Sequence, residues 1–175
     1  MTYNVRHTPW SASRSWTHDP ADSRRPRPQG LAWAIAAAAA GVLHSAASFY
    51  WASGGEWLLW TLGERIINSF GDRLGLLYPV AVVKLLAAVV PVWLAVKHWP
   101  GALVSRGLCW LGAVVLILWG GLNTIAGGAV LAGIVDPVGG YDRNAMIGHA
   151  WLWDPLFLLW GLALMVALLR SRRRS

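Results

Sequence analysis

Hydrocarbon penalises polar side chains, so the polar residues inside long apolar runs mark where chemistry can be placed. Four apolar runs of this chain each hold one such residue: His44, Lys84, Asn123 and Asp154. Glu56, His149 and Trp151 stand near the ends of those runs. A central Lys or Asp costs about 2.5–3.5 kcal/mol on translocon scales, so such groups turn inward and find partners. Lys84 and Asp154 carry opposite charges and are expected to pair. His44 and Asn123 would complete a hydrogen-bond network, with His44 as a proton carrier or ligand. One reading is a polar pocket rimmed by Glu56, His149, Trp151 and Asp154. The other is an ion pair that only fixes helix register.

Two further chemistries use the same residues. Paired histidines from different helices, His44 and His149, are a reasonable haem ligand set, and a quinone could hydrogen-bond there instead. A transition metal could draw on His44, Glu56, His149 and Asp154. No two histidines share an i, i+4 helix face, and no CxxCH motif is present. Nucleotide, serine-hydrolase and zinc-protease fingerprints are also missing. The single cysteine, Cys109, excludes an internal disulfide and a multi-cysteine metal site. No cofactor is favoured, and a non-enzymatic role is expected.

These residues must be positioned by membrane helices. The 175 residues are 56% hydrophobic and 13% charged, against roughly 25% charged in an ordinary soluble domain. Spans are expected at about 31–52, 75–96, 107–135 and 148–169. The first has no Asp, Glu, Lys or Arg, and its length of about 33 Å crosses a bilayer core. Arg24-Arg25 before it resembles a twin-arginine signal, but the run continues past Ser45-Ala46-Ala47 to Trp51, so an uncleaved span is expected. Residues 53–74 have Leu59, Leu62, Ile66 and Phe70 at helical spacing and read as a short amphipathic surface helix. The third span is glycine-rich, which suits close helix contact. Residues 1–30 read as a disordered basic tail, with five arginines and four prolines.

The net charge of +7 is concentrated at the two ends, so it is a topology signal and not a nucleic-acid one. The basic ends and the 97–106 loop fall on one side, and Glu56, Glu64, Asp72, Asp136 and Asp142 on the other. Both termini are therefore expected in the cytoplasm of a multi-pass cell-membrane protein. Most of the 13 tryptophans fit belts at the two interfaces, while Trp119 and Trp160 are expected between helices. At 1.5 Å per residue, His44, Lys84, Asn123 and Asp154 lie about 12, 13, 18 and 9 Å below the outer boundary. All four fall in one half of an all-α, up-down four-helix bundle.

Two segments resemble a known family. HSAASFYWASGGEW, from His44 to Trp57, and YDRNAMIGHAWLWDPLFLLWGL, from Tyr141 to Leu162, are similar to the opening and closing motifs of domain-of-unknown-function family 3995. Its members are small bacterial four-span membrane proteins. Here His44 and Tyr50 are six apart, wider than a His-x-Tyr-Trp form, and Trp153-Asp154-Pro155 replaces Tyr-Ser-Pro. The resemblance implies a four-helix membrane fold and no particular activity.

The expected function is binding of a small lipophilic or cationic ligand, or of a partner subunit, through the outward-facing polar and aromatic pocket. The alternatives are a membrane redox protein with haem or quinone at His44 and His149, and a structural accessory subunit. The bilayer, a second copy or another membrane subunit are the expected partners. No repeat relates the two halves, which argues against a lone-chain transporter.

Overall fold

The computed structural model describes residues 29–171. The basic tail and Arg172, Arg173 and Arg174 fall largely or wholly outside those residues. Among the described residues the chain is all-helical. Helix α1 covers Leu31–Ala52, α2 Glu64–Phe70, α3 Leu77–Val96, α4 Ala102–Leu131, α5 Arg143–Gly148 and α6 Asp154–Arg170. Tight 3-10 turns at Leu59–Leu62 and Gly71–Leu76 flank α2, and a π-helical turn at His149–Trp153 joins α5 to α6. Four segments are long and apolar enough to cross a membrane: Leu31–Ala52, Arg73–Val96, Ala102–Leu131 and Arg143–Arg170.

The first span lies where its composition puts it. The third begins five residues before the expected 107 and ends four before 135. Gly101, at φ 57°, lets the chain turn directly into α4, and residues beyond Leu131 leave the helix through turns. The 53–74 segment is not one amphipathic helix. Leu58 (φ 57°) and Gly63 (φ 88°) sit in the left-handed region and divide it into short pieces.

Packing runs in the order α3–α1–α6–α4: α1 meets α3 and α6, and α6 meets α4. Small residues set how closely these helices approach. A Cβ on Gly41 of α1 would stand 2.6 Å from the Trp160 ring and 2.7 Å from Ala88. Gly120 of α4 lies against the backbone of Asp154 and Leu158, and Gly161 of α6 lies against Ala113 and Ile117. The glycines of the third span divide by face: Gly120 and Gly127 meet neighbours, whereas Gly112 and Gly128 have open space. Consecutive helices α3 and α4 do not pack along their length. Between them runs an apolar groove of about 690 Å³, floored by Trp160 and Leu164.

At the opposite end from the short 52–73 and 132–142 connections, Arg106 closes α6. Its guanidinium donates to the Leu168 carbonyl at 2.6 Å and to Ser171 Oγ at 2.9 Å. It thereby satisfies a carbonyl the helix end leaves free. Trp160 is buried between helices as expected, but Trp119 is 62% exposed. Trp51 and Trp153, which stand near the ends of their apolar runs, are core residues and not belt residues.

Candidate functional site

The spanning polar residues form two clusters on different helix pairs. The first is built by an irregular turn. His149 and Asp154 are five residues apart, which on a regular α-helix points them roughly 140° from each other. The π turn brings them together, so that His149 Nδ1 lies 2.8 Å from Asp154 Oδ2. Pro155 gives the local reason. It has no N–H and its ring clashes with the carbonyl four residues back, that of Trp151. The Asp154 N–H then bonds to the His149 carbonyl, one residue wider than an α-turn.

Asp154 is 1% exposed, and His149 remains partly open. A carboxylate only accepts, so the Nδ1 proton of His149 is assigned to this bond. That fixes the ring and leaves Nε2 for other chemistry, the arrangement in which a buried acid orients a histidine. His149 lines a cavity of about 520 Å³ together with Trp119, Asn123, Tyr141, Asp142 and Met146. Asn123 donates from Nδ2 to the Trp119 carbonyl at 2.9 Å, which leaves its Oδ1 as an acceptor. No Lys or Arg is among the lining residues.

The cavity wall is held by long-range bonds. Asp142 caps α5 by accepting from the Asn144 and Ala145 N–H groups at 2.9 and 3.1 Å. Its second oxygen accepts from the Glu64 N–H at 2.7 Å. The Glu64 and Ala145 amide bonds hold the Asp142 carboxyl below the usual aspartate range, so it is ionised at neutral pH. Thr61, 2% exposed, accepts from Trp153 Nε1 at 2.8 Å and donates to the Leu58 carbonyl at 2.6 Å. Gly148 must be glycine-sized, because a Cβ would collide with the Thr61 carbonyl.

The second cluster joins α1 and α3. Lys84 Nζ donates to Ser48 Oγ at 3.0 Å and lies 3.2 Å from His44 Nδ1. Ser45 donates to the Ala81 carbonyl at 2.7 Å one turn away. The His44 ring lies 4.0 Å from Phe157 and 5.5 Å from Trp153, centroid to centroid. Its Nε2 is buried without a hydrogen-bond partner.

The expected Lys84–Asp154 pair is therefore not made. Each residue takes a histidine instead, Lys84 with His44 and Asp154 with His149. Asn123 joins the His149 cavity and not a network with His44. Glu56 is exposed and is not among the lining residues, and Trp151 is 74% exposed while its neighbour Trp153 is buried. Tyr141, Asp142, Thr61 and Ser48 complete the two clusters. Of these, only Asp142 carries a sequence signal, a cap residue preceding a helix.

The family whose model matches residues 41–164 is described as a protein of unknown function, DUF3995. This chain belongs to the DUF3995 family. The match spans both clusters, from just before His44 to beyond Asp154. No curated protein and no solved structure matches the chain. What a DUF3995 member does must therefore be argued from the site itself.

The donor sets limit the cofactor alternatives. A haem between His44 and His149 does not fit this packing. His44 is 4% exposed, its Nδ1 faces Lys84, and its Nε2 is closed to solvent. Among the described residues, no three His, Cys, Asp or Glu side chains converge to hold a metal. His149 lines a cavity, and its bond to Asp154 uses Nδ1 and not Nε2.

Proposed function

We propose that this protein binds a small lipophilic molecule with a positively charged, hydrogen-donating end in the cavity around His149. One observation carries the reading: His149, held by buried Asp154, shares a cavity with the Asn123 amide and an ionised Asp142. In its neutral form His149 keeps the Nδ1 proton on Asp154 and offers Nε2 as an acceptor. Asn123 Oδ1 is a second acceptor, and Asp142 supplies negative charge. Trp119 and Tyr141 are among the lining residues, and aromatic rings attract a cation. The remaining walls are mostly apolar, and a volume of about 520 Å³ falls within the range of small-molecule sites. The ligand would enter from the end of the helices that carries the 132–142 turn, taken as the outer face from the charge pattern.

The test is native mass spectrometry of the detergent-purified protein with dodecylamine, dodecanol or dodecanoate. The amine should be retained in preference to the other two, and His149→Phe or Asn123→Leu should remove that preference. Equal retention of all three probes would defeat the proposal. A Soret band in the same preparation would contradict both this reading and the packing that excludes haem between His44 and His149.

A further inference from the structure

Lys84 is an intramembrane cation with no acid beside it. Among the described residues, the acid Asp154 is taken by His149 and lies in the other cluster. An ammonium has three N–H donors. Those of Lys84 reach His44 and Ser48, and the Phe157 ring lies 5.7 Å away. With its Nδ1 accepting from Lys84, a neutral His44 carries its proton on Nε2, which has no partner either. The cluster thus holds an amine with no carboxylate partner and an excess of donors over acceptors.

Lys84 lies seven residues into α3, about 10 Å from the helix start. Its side chain is turned towards α1 and not out to the interface, as the bonds to His44 and Ser48 show. Phospholipid phosphates lie outside the hydrocarbon core and do not reach this depth. A side chain on a neighbouring helix does. Beside Lys84, α3 presents Val80, Val83, Ala87 and Val90, all exposed and spaced three, four and three residues apart. Beyond the turn that leads into it, α3 packs broadly only on α1, so among the described residues no second helix packs broadly on this stripe, and its Ala87 and Val90 line the groove beside α4.

We propose that Lys84 and the α3 stripe form a docking face for a transmembrane helix that carries an Asp or Glu at matching depth. The partner is a different protein. The one spanning acid of this chain, Asp154, is buried and already paired with His149. This face is separate from the His149 cavity and stands or falls without it.

The test uses full-length protein in phosphatidylcholine vesicles with a labelled poly-leucine helix bearing one central Asp, Asn or Leu. Energy transfer reports association. The Asp helix should associate roughly tenfold more tightly than the Asn helix, as expected for about 1–2 kcal/mol from a polar contact in lipid. Lys84→Met should remove that difference and Lys84→Arg should keep it. Equal association of the Asp and Asn helices with the wild type would overturn the proposal, whether or not the variants fold. So would an Asp preference that survives Lys84→Met.

Discussion

The contact between α4 and α6 makes a quantitative demand on two glycines, and a third serves as control. At Gly120 an added Cβ would lie 2.5 Å from both the Asp154 carbonyl and the Leu158 nitrogen. At Gly161 it would lie 2.9 Å from the Ala113 carbonyl and the Ile117 nitrogen. Both obstacles are backbone, so no rotamer change relieves them, and the helices must separate. Overpacking of this kind costs about 1–3 kcal/mol. Gly112, on the same helix α4, has nothing within 4 Å. There the substitution only exchanges glycine for a better helix former, a gain of about 0.5–1 kcal/mol. That gain is common to all three helical positions, so Gly120→Ala and Gly161→Ala should unfold about 1–3 kcal/mol more easily than Gly112→Ala. Equilibrium unfolding in mixed micelles, followed by circular dichroism, measures the difference. If all three variants unfold alike, the α4–α6 contact is wrong. Gly120→Ala should also weaken dodecylamine retention, because it displaces the turn that carries Asp154.

Further outcomes follow from the polar contacts. Lys84→Met and Asp154→Asn should be additive within about 0.5 kcal/mol in a double-mutant cycle, while Lys84→Met and His44→Phe should couple; unfolding free energies decide between these partners. Thr61→Val strands the buried Trp153 N–H and should cost about 1–3 kcal/mol; limited proteolysis should then cut the 57–70 segment faster. Asp142 has a folded pKa below its unfolded value of about 3.9, so its contribution is full above that pH and disappears as pH falls through the folded value. Thermal scans between about pH 6 and 2.5 should show wild type losing stability over that window, and Asp142→Asn losing less. Cysteines placed at Ser53 or Gly140 should react with an impermeant reagent on intact cells, while one at Lys97 should react only after lysis.

The sequence carries the four spans because hydropathy and length are summed over some twenty residues and tolerate local error. The ends of α4 were less legible. A composition window cannot see that Gly101 turns the chain straight into the helix, or that the chain leaves it after Leu131. The polar residues were legible as a set, since each stands out in its span, but their partners were not. Depth arithmetic assumed regular helices, and Lys84 and Asp154 then appeared to face each other. The π turn before Pro155 re-aims Asp154 towards His149, and depth alone does not say which side of α6 meets α1. The Asp142–Glu64 and Thr61–Trp153 bonds join residues 78 and 92 positions apart, a pairing no local pattern encodes.

The order α3–α1–α6–α4 has a consequence for biogenesis. Of the four spans, α6 is made after the other three, and it sits between α1 and α4. Until it leaves the ribosome, α1 and α3 can pair, but α4 has no broad contact with either. The nascent chain must hold α4 in the bilayer as a solitary hydrophobic helix, with the glycine surface that will receive α6 still open to lipid. Any stop in translation before Asp154 therefore leaves an unfinished membrane protein with α4 unpacked, a ready substrate for membrane proteases.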